Sequence, residues 1–288
     1  MLFRYLAVAF LALEASAIPV HTKRDAAISD IDILQYALTL EHLENTFYKQ
    51  ALDKFDDAAF KNAGFESTVR ERFVEIAQHE QDHVTFLTAA LGNQATQPCQ
   101  YSFPYTDVKS FAALSMVLEG VGTSAYLGAA KFLGDKTLLT AAGSILTTEA
   151  RQASWVSSSV LHESPWSGPF ETPLDFNQVF TLASAIITSC PASNPTLPFK
   201  AFPELKITST ATPAPGGTIT LEFTGSGVSG LYLSIFTGLH VVSVDITSDG
   251  KATLPADLTG TVYAVVSKTS ENVTDDTTVA GPIVLQFY

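Results

Sequence analysis

The stretch FAALSMVLEGVGTSAYLGAA, residues 111–130, holds a single formal charge, Glu119, among twenty residues. So apolar a segment belongs inside a fold, and an ionised carboxylate buried there without a partner costs more than marginal folding energies can absorb. The chain must therefore supply a partner for Glu119. The segment is long enough to span a bilayer. Glu119, three internal glycines and short helical neighbours favour a core helix instead.

Residues 27–190 show apolar positions at helical spacing separated by turn signals, which predicts five helices. They run over about 28–55, 67–91, from the N-cap Asp107 to about 133, 136–162 and 175–189, the last stopping at Cys190-Pro191. The first contains LTLEHLENTFY, with Glu41 and Tyr48 seven residues apart on one face. The third repeats that spacing with Glu119 and Tyr126. The second and fourth carry Glu80-x-x-His83 and Glu149-x-x-Gln152, so that a lone Glu followed by Glu-x-x-ligand occurs twice.

In a four-helix bundle, one Glu on each of two helices and Glu-x-x-His on each of the other two project inward around two metal ions. Glu41, Glu80, His83, Glu119 and Glu149 are the expected ligands, and a pair of divalent cations would neutralise the four carboxylates. Oxygen and imidazole donors suit iron or manganese, and zinc also fits. Glu44 shares a face with Glu41 and Tyr48 and competes with Glu41 for the inward position. Tyr48 and Tyr126 are expected mainly as core residues with satisfied hydroxyls. His42 and His162 are expected on solvated faces, and Glu75, five residues before Glu80, is expected to face elsewhere.

On these residues the chain resembles the ferritin-like superfamily, and within it the secreted fungal ferritin-like proteins linked to stress response and sexual development. The resemblance covers residues 27–190 and implies a di-metal carboxylate site that oxidises ferrous iron or removes peroxide. Gln152 stands where a symmetric site would have a second histidine. The resemblance implies that ferritins accept Gln near one weak iron site, whereas manganese catalases use His, which favours iron oxidation and leaves a single or degenerate site open. Gln152 would orient a water or hold the second ion weakly.

Two other function classes fit parts of the sequence. HEQDH, residues 79–83, is also H-E-x-x-H, the zinc hydrolase signature with His79 and His83 as ligands. It leaves Glu41, Glu119 and Glu149 unexplained and lacks the metzincin extension. The other class is a non-enzymatic secreted stress or surface protein, in which a degenerate bundle is a scaffold and a second domain binds a protein partner.

Residues 1–17 have an Arg, an apolar run and a small-x-small end and read as a signal peptide, with 18–24 as a pro-segment ending at Lys23-Arg24. The expected location is extracellular or cell wall, with no transmembrane segment in the mature chain. Cys99 and Cys190 then suggest one disulfide, worth roughly 4 kcal/mol for so long a loop. Asn272 opens a glycosylation sequon. The net charge of −13 argues against nucleic acid and anionic membranes as partners.

The helical domain, 25–190, is followed by a proline-rich linker over 191–204. From 205 to 288, short alternating runs such as TITLEF and LYLSI between glycine turns predict six or seven strands in an independently folding, immunoglobulin-like β-sandwich. The fold class is thus α then β: a ferritin-like four-helix bundle plus a fifth helix, then a small sandwich.

Overall fold

The computed structural model describes residues 28–225 and 227–288, so the signal peptide and pro-segment expected over 1–24 lie outside the described residues. The long helices begin where the sequence offers caps. Helix α1 (Asp30–Lys54) starts at Ser29, whose hydroxyl accepts from the Asp32 amide while Asp32 reaches back to the Ser29 amide. Asp107 and Ser110 make the same reciprocal pair before α4 (Val108–Ala129), and Asp135 caps α5 (Lys136–Trp155). Helix α3 (Ser67–Leu91) ends at Gly92, whose φ of 60° suits a residue without Cβ.

A short helix, α2 (Asp57–Asn62), fills the turn between α1 and α3, which the sequence pattern left as a connection; Asp56 caps it and Phe60 plugs it into the core. Helix α1 packs along α3 and α4 along α5, giving two hairpins face to face. Helix α5 is shorter than expected: regular helix stops at Trp155 and one wider, π-type turn covers Val156–Val160. Helix α4 meets the length and apolarity needed to cross a membrane, but most of its surface is buried within the bundle.

The last helix also differs from expectation. Helix α6 (Phe176–Ser184) ends five residues early, and Ile187–Ser189 form strand β2, antiparallel to β1 (Gln100–Tyr101). Ile187 and Thr188 are β-branched and suit a ladder. The ladder brings together Cys99 and Cys190, which form a disulfide closing a span of 91 residues.

Residues 191–204 contain no helix or strand but are pinned to the bundle. Phe199 stacks on Phe176 at 4.6 Å and meets Tyr36 edge-on, while the Lys200 amide donates to Asn177. Seven antiparallel strands follow: β3 (Leu205–Ile207), β4 (Thr218–Phe223), β5 (Tyr232–Thr237), β6 (His240–Asp245), β7 (Lys251–Thr253), β8 (Gly260–Ser267) and β9 (Thr278–Phe287). They form sheets ordered β3-β4-β7 and β6-β5-β8-β9, enclosing a core that includes Ile219, Leu233, Ile235, Val262, Ala264 and Val266.

Strand β8 is buried on both faces, which explains why GTVYAVVS has no polar alternation. Val262, Ala264 and Val266 face the sandwich core, and Tyr263 packs into the bundle's core. The Tyr263 hydroxyl lies 2.9 Å from Ser124 Oγ and 3.1 Å from the Gly120 carbonyl, both on α4. The four-stranded sheet is therefore docked on the helices by a continuous apolar contact.

Candidate metal centre

Each of four helices contributes a carboxylate that is 0% exposed: Glu41 from α1, Glu80 from α3, Glu119 from α4 and Glu149 from α5. Their burial follows from helical period, since each lies on the same stripe as the apolar residues that hold its helix in the bundle. Glu41, Glu80, His83 and Glu149 each offer a ligand atom, and these atoms all lie within 4.8 Å of one another. Nδ1 of His83 is 3.2 Å from Glu41, 3.4 Å from Glu80 and 3.4 Å from Glu149.

Glu119 and Glu44 flank this group. Glu119 accepts a very short hydrogen bond from the Tyr48 hydroxyl and lies against Glu149. Glu44, buried on α1, feels the negative charge of Glu149, then Glu80, Glu41 and Glu119. Gly122 on α4 makes room here: a Cβ at that position would lie 2.9 Å from Glu149 Oε2 and 3.0 Å from Glu44 Oε1. Helical spacing leaves Glu41 and Glu44 as rivals for the inward position, and the structure buries both.

The electrostatics are those of a site built for cations. Burial raises the pKa of every one of these carboxyls, and mutual repulsion raises most further; Glu80 and Glu149 are pushed up to about 7. Burial alone would lower His83, but Glu149, Glu41 and Glu80 push it the other way and hold it as the imidazolium. Its Nδ1–H, the donor that faces the carboxylates, can satisfy only one acceptor well, Glu41 Oε2. Glu80 Oε2, Glu119 Oε2, both oxygens of Glu149 and Oε1 of Gln152 are buried with no hydrogen-bond partner. Orphaned oxygens on these convergent groups, beside an imidazole, are the donor set a divalent cation would fill. The residues present fit a metal.

Gln152 is not idle. Its Nε2 donates to Glu80 Oε1 at 2.9 Å, which fixes that carboxylate and leaves the amide oxygen available. Tyr126 donates to Glu41 Oε1 at 2.5 Å. His79 is exposed, lies over the site on α3 beside His83, and is not among the four convergent groups. Glu75 pairs with Arg72 at the surface but, against the expectation that it faces elsewhere, lines the opening between α3 and α5 above the site; His162 is exposed, as expected. His42 corrects the expectation of a solvated face: it is buried, with Nε2 3.0 Å from the Thr96 carbonyl.

Comparison with known proteins agrees with this geometry. Residues 29–162 match the sequence profile described as a ferritin-like domain, a range that holds all four long helices and every residue of the site. Residues 29–162 are a ferritin-like domain. The chain is also similar to Protein rds1 of Schizosaccharomyces pombe, 29% identical over 180 residues, which cover 62% of this chain and 44% of that protein. The chain thus spans less than half the length of this fungal relative. The matched range ends before α6, so that helix, the linker and the sandwich lie outside it.

Over the site, between α3 and α5, lies an open polar mouth of about 580 Å³. Arg72, His79, Asp82 and Arg151 line it, and His83 and Gln152 form its floor. Sequence pattern gives Arg72, Asp82 and Arg151 no part in the site, because each is an ordinary exposed polar position on its own helix, and it singles out His79 only through the H-E-x-x-H reading.

Proposed function

We propose that the ferritin-like domain binds ferrous iron as a substrate at Glu41, Glu80, His83, Glu119 and Glu149 and promotes its oxidation. The observation that supports this reading best is the set of buried, unpartnered oxygens on Glu80, Glu119 and Glu149 around the His83 imidazole. Glu149, with no hydrogen bond at either oxygen and flanked by Glu44 and Glu119, is the residue best placed to serve two neighbouring ions. Two ferrous ions would give one electron each to dioxygen, which takes up two protons and leaves as hydrogen peroxide.

The chain's own groups have separate roles in this reading. Tyr48 and Tyr126 hold Glu119 and Glu41, and Gln152 holds Glu80. Protons displaced from the carboxyls by the cations are close at hand for the reduced oxygen. The mouth between α3 and α5 gives a hydrated ion a path to His83 past charged and polar side chains.

Secretion belongs to the same proposal, supported by the Cys99–Cys190 disulfide. In that setting the exposed Asn272 is the expected glycan acceptor. The reading is tested on protein purified without added metal or chelator, by anaerobic titration with ferrous iron followed by admission of air. Formation of ferric iron above the blank, lost in Glu149→Ala, is the expected result. Equal rates in both proteins would refute the oxidation and leave the bundle as a scaffold.

A further inference from the structure

The carboxylate group has a second approach, of opposite character to the polar mouth. A cavity of about 90 Å³ lies between α1, α4, α6 and β9. Leu40, Leu118, Val121, Ala183, Ile186 and Val284 are among its aliphatic walls, and Glu44 is the one polar side chain that lines it. Its inner end is Gly122, the position at which Glu44 and Glu149 converge. The cavity therefore reaches the site from the side away from His83.

Its chemistry selects what can occupy it. Water needs two to four polar partners, which these aliphatic walls do not offer, whereas small apolar molecules or xenon need none. A ferrous ion or a peroxide molecule would have to shed its hydration against aliphatic walls. Dioxygen is small and apolar and loses little. The walls also come from two parts of the chain: α1 and α4 belong to the ferritin-like domain, while Ala183, Ile186 and Val284 come from α6, the turn after it and β9.

We propose that this cavity is a dioxygen site and route to the carboxylate group, closed by the C-terminal part of the chain and separate from the polar mouth that admits the ion. The proposal rests on the ferrous oxidation proposed above and makes dioxygen, not peroxide, the oxidant. It also accounts for α6 and the docked sandwich, which wall off an apolar path that the four helices alone would leave open.

The test uses the full chain and Ala183→Leu, which fills the cavity from α6 without touching the carboxylates, with Ala183→Val as a milder variant. Crystals under xenon pressure should show xenon beside Gly122 in the wild type, less in Ala183→Val and none in Ala183→Leu. No xenon in the wild type overturns the site. In stopped-flow oxidation at varied oxygen, the apparent KM for dioxygen should rise several-fold in Ala183→Leu and less in Ala183→Val. Anaerobic ferrous binding should be unchanged. An unchanged KM for dioxygen with xenon excluded overturns the route while ferrous oxidation stands. Xenon bound in a wild type that oxidises no iron overturns the proposed function, and the dioxygen route with it.

Discussion

Tyr126 on α4 donates its hydroxyl proton to Glu41 on α1, 2.5 Å away, while Tyr48 on α1 donates to Glu119 on α4. The Glu-x6-Tyr spacing is the same on both helices, yet neither tyrosine serves the glutamate of its own helix. Seven residues along a helix is two turns, about 10 Å, too far for an intrahelical bond. Antiparallel α1 and α4 bring each tyrosine opposite the other's carboxylate. The exchange ties the two hairpins together across the site.

Removing one of these bonds should loosen a ligand without emptying the core. Tyr126→Phe keeps the ring but leaves Glu41 Oε1 without its buried donor. We expect a stability loss of about 1–3 kcal/mol in the metal-free protein and weaker ferrous binding by calorimetry. The loss of stability should shrink when metal is present, since a cation can satisfy the freed oxygen. A variant as stable as wild type and with unchanged affinity would show the bond to be incidental.

The raised carboxyls fix the sign of the pH dependence. Glu80 and Glu149 titrate near 7 in the folded chain, burial being the largest cause for each, against ordinary values near 4.5. Between those values the folded protein holds protons that the unfolded chain has released, so metal-free stability is full below the ordinary carboxylate range and falls as pH rises toward about 7. Melting temperatures of chelated protein should drop across that window. Metal affinity should rise over the same window, because cations compete with those protons. A flat profile would mean that the carboxyls are already ionised without metal.

Much of the bundle was legible in the sequence because its signals are local. Ser29, Asp107 and Asp135 announce helix starts, and two copies of a Glu then Glu-x-x-ligand order mark the inward face. What the sequence hides depends on partners distant along the chain. His42 sits among polar neighbours and reads as solvated, yet its partner is the carbonyl of Thr96. Glu44 cannot be separated from Glu41 by period, and only the absence of a side chain at Gly122 shows where its carboxyl fits. Residues 187–189 continue an apolar helix in pattern and become a strand because Gln100 and Tyr101 lie alongside. The alternation of β8 is hidden because the bundle covers its second face.

Two glycines on α4 should fail differently when given a methyl group. At Gly122 the new Cβ would press on the carboxylate ends of Glu149 and Glu44, which can turn aside. Gly122→Ala should therefore keep its helical circular dichroism and most of its melting temperature but bind ferrous iron at least ten-fold more weakly, about 1.4 kcal/mol. At Gly128 the Cβ would fall 1.7 Å from the Leu174 carbonyl oxygen, on backbone held by the bond from the Leu174 amide to Ser124. Gly128→Ala should cost several kcal/mol, as overpacking against fixed backbone does. If both variants lose stability equally, the carboxylates are not free to move and the site is more rigid than its geometry suggests.

The two histidines of HEQDH separate the metal readings most directly. His79 and His83 are one helical turn apart and both overlook the mouth above the site, so spacing alone allows either or both to bind a cation. Their surroundings differ. His79 is about 100° round α3 from Glu80 and stands exposed at the rim, whereas Nδ1 of His83 lies within 3.4 Å of three carboxylates. His79→Ala should retain nearly all bound metal and any ferrous oxidation, with at most a slower uptake from solution. His83→Ala should lose both, because its imidazole is the one histidine among the convergent groups and no neighbouring side chain can replace it. The variant should also melt lower without metal, since the imidazolium is the positive charge set against the buried carboxylates there. Chelation should then lower the melting temperature of wild type and leave His83→Ala almost unmoved. A single zinc lost in His79→Ala, together with a peptidase activity, would assign the helix to hydrolysis instead.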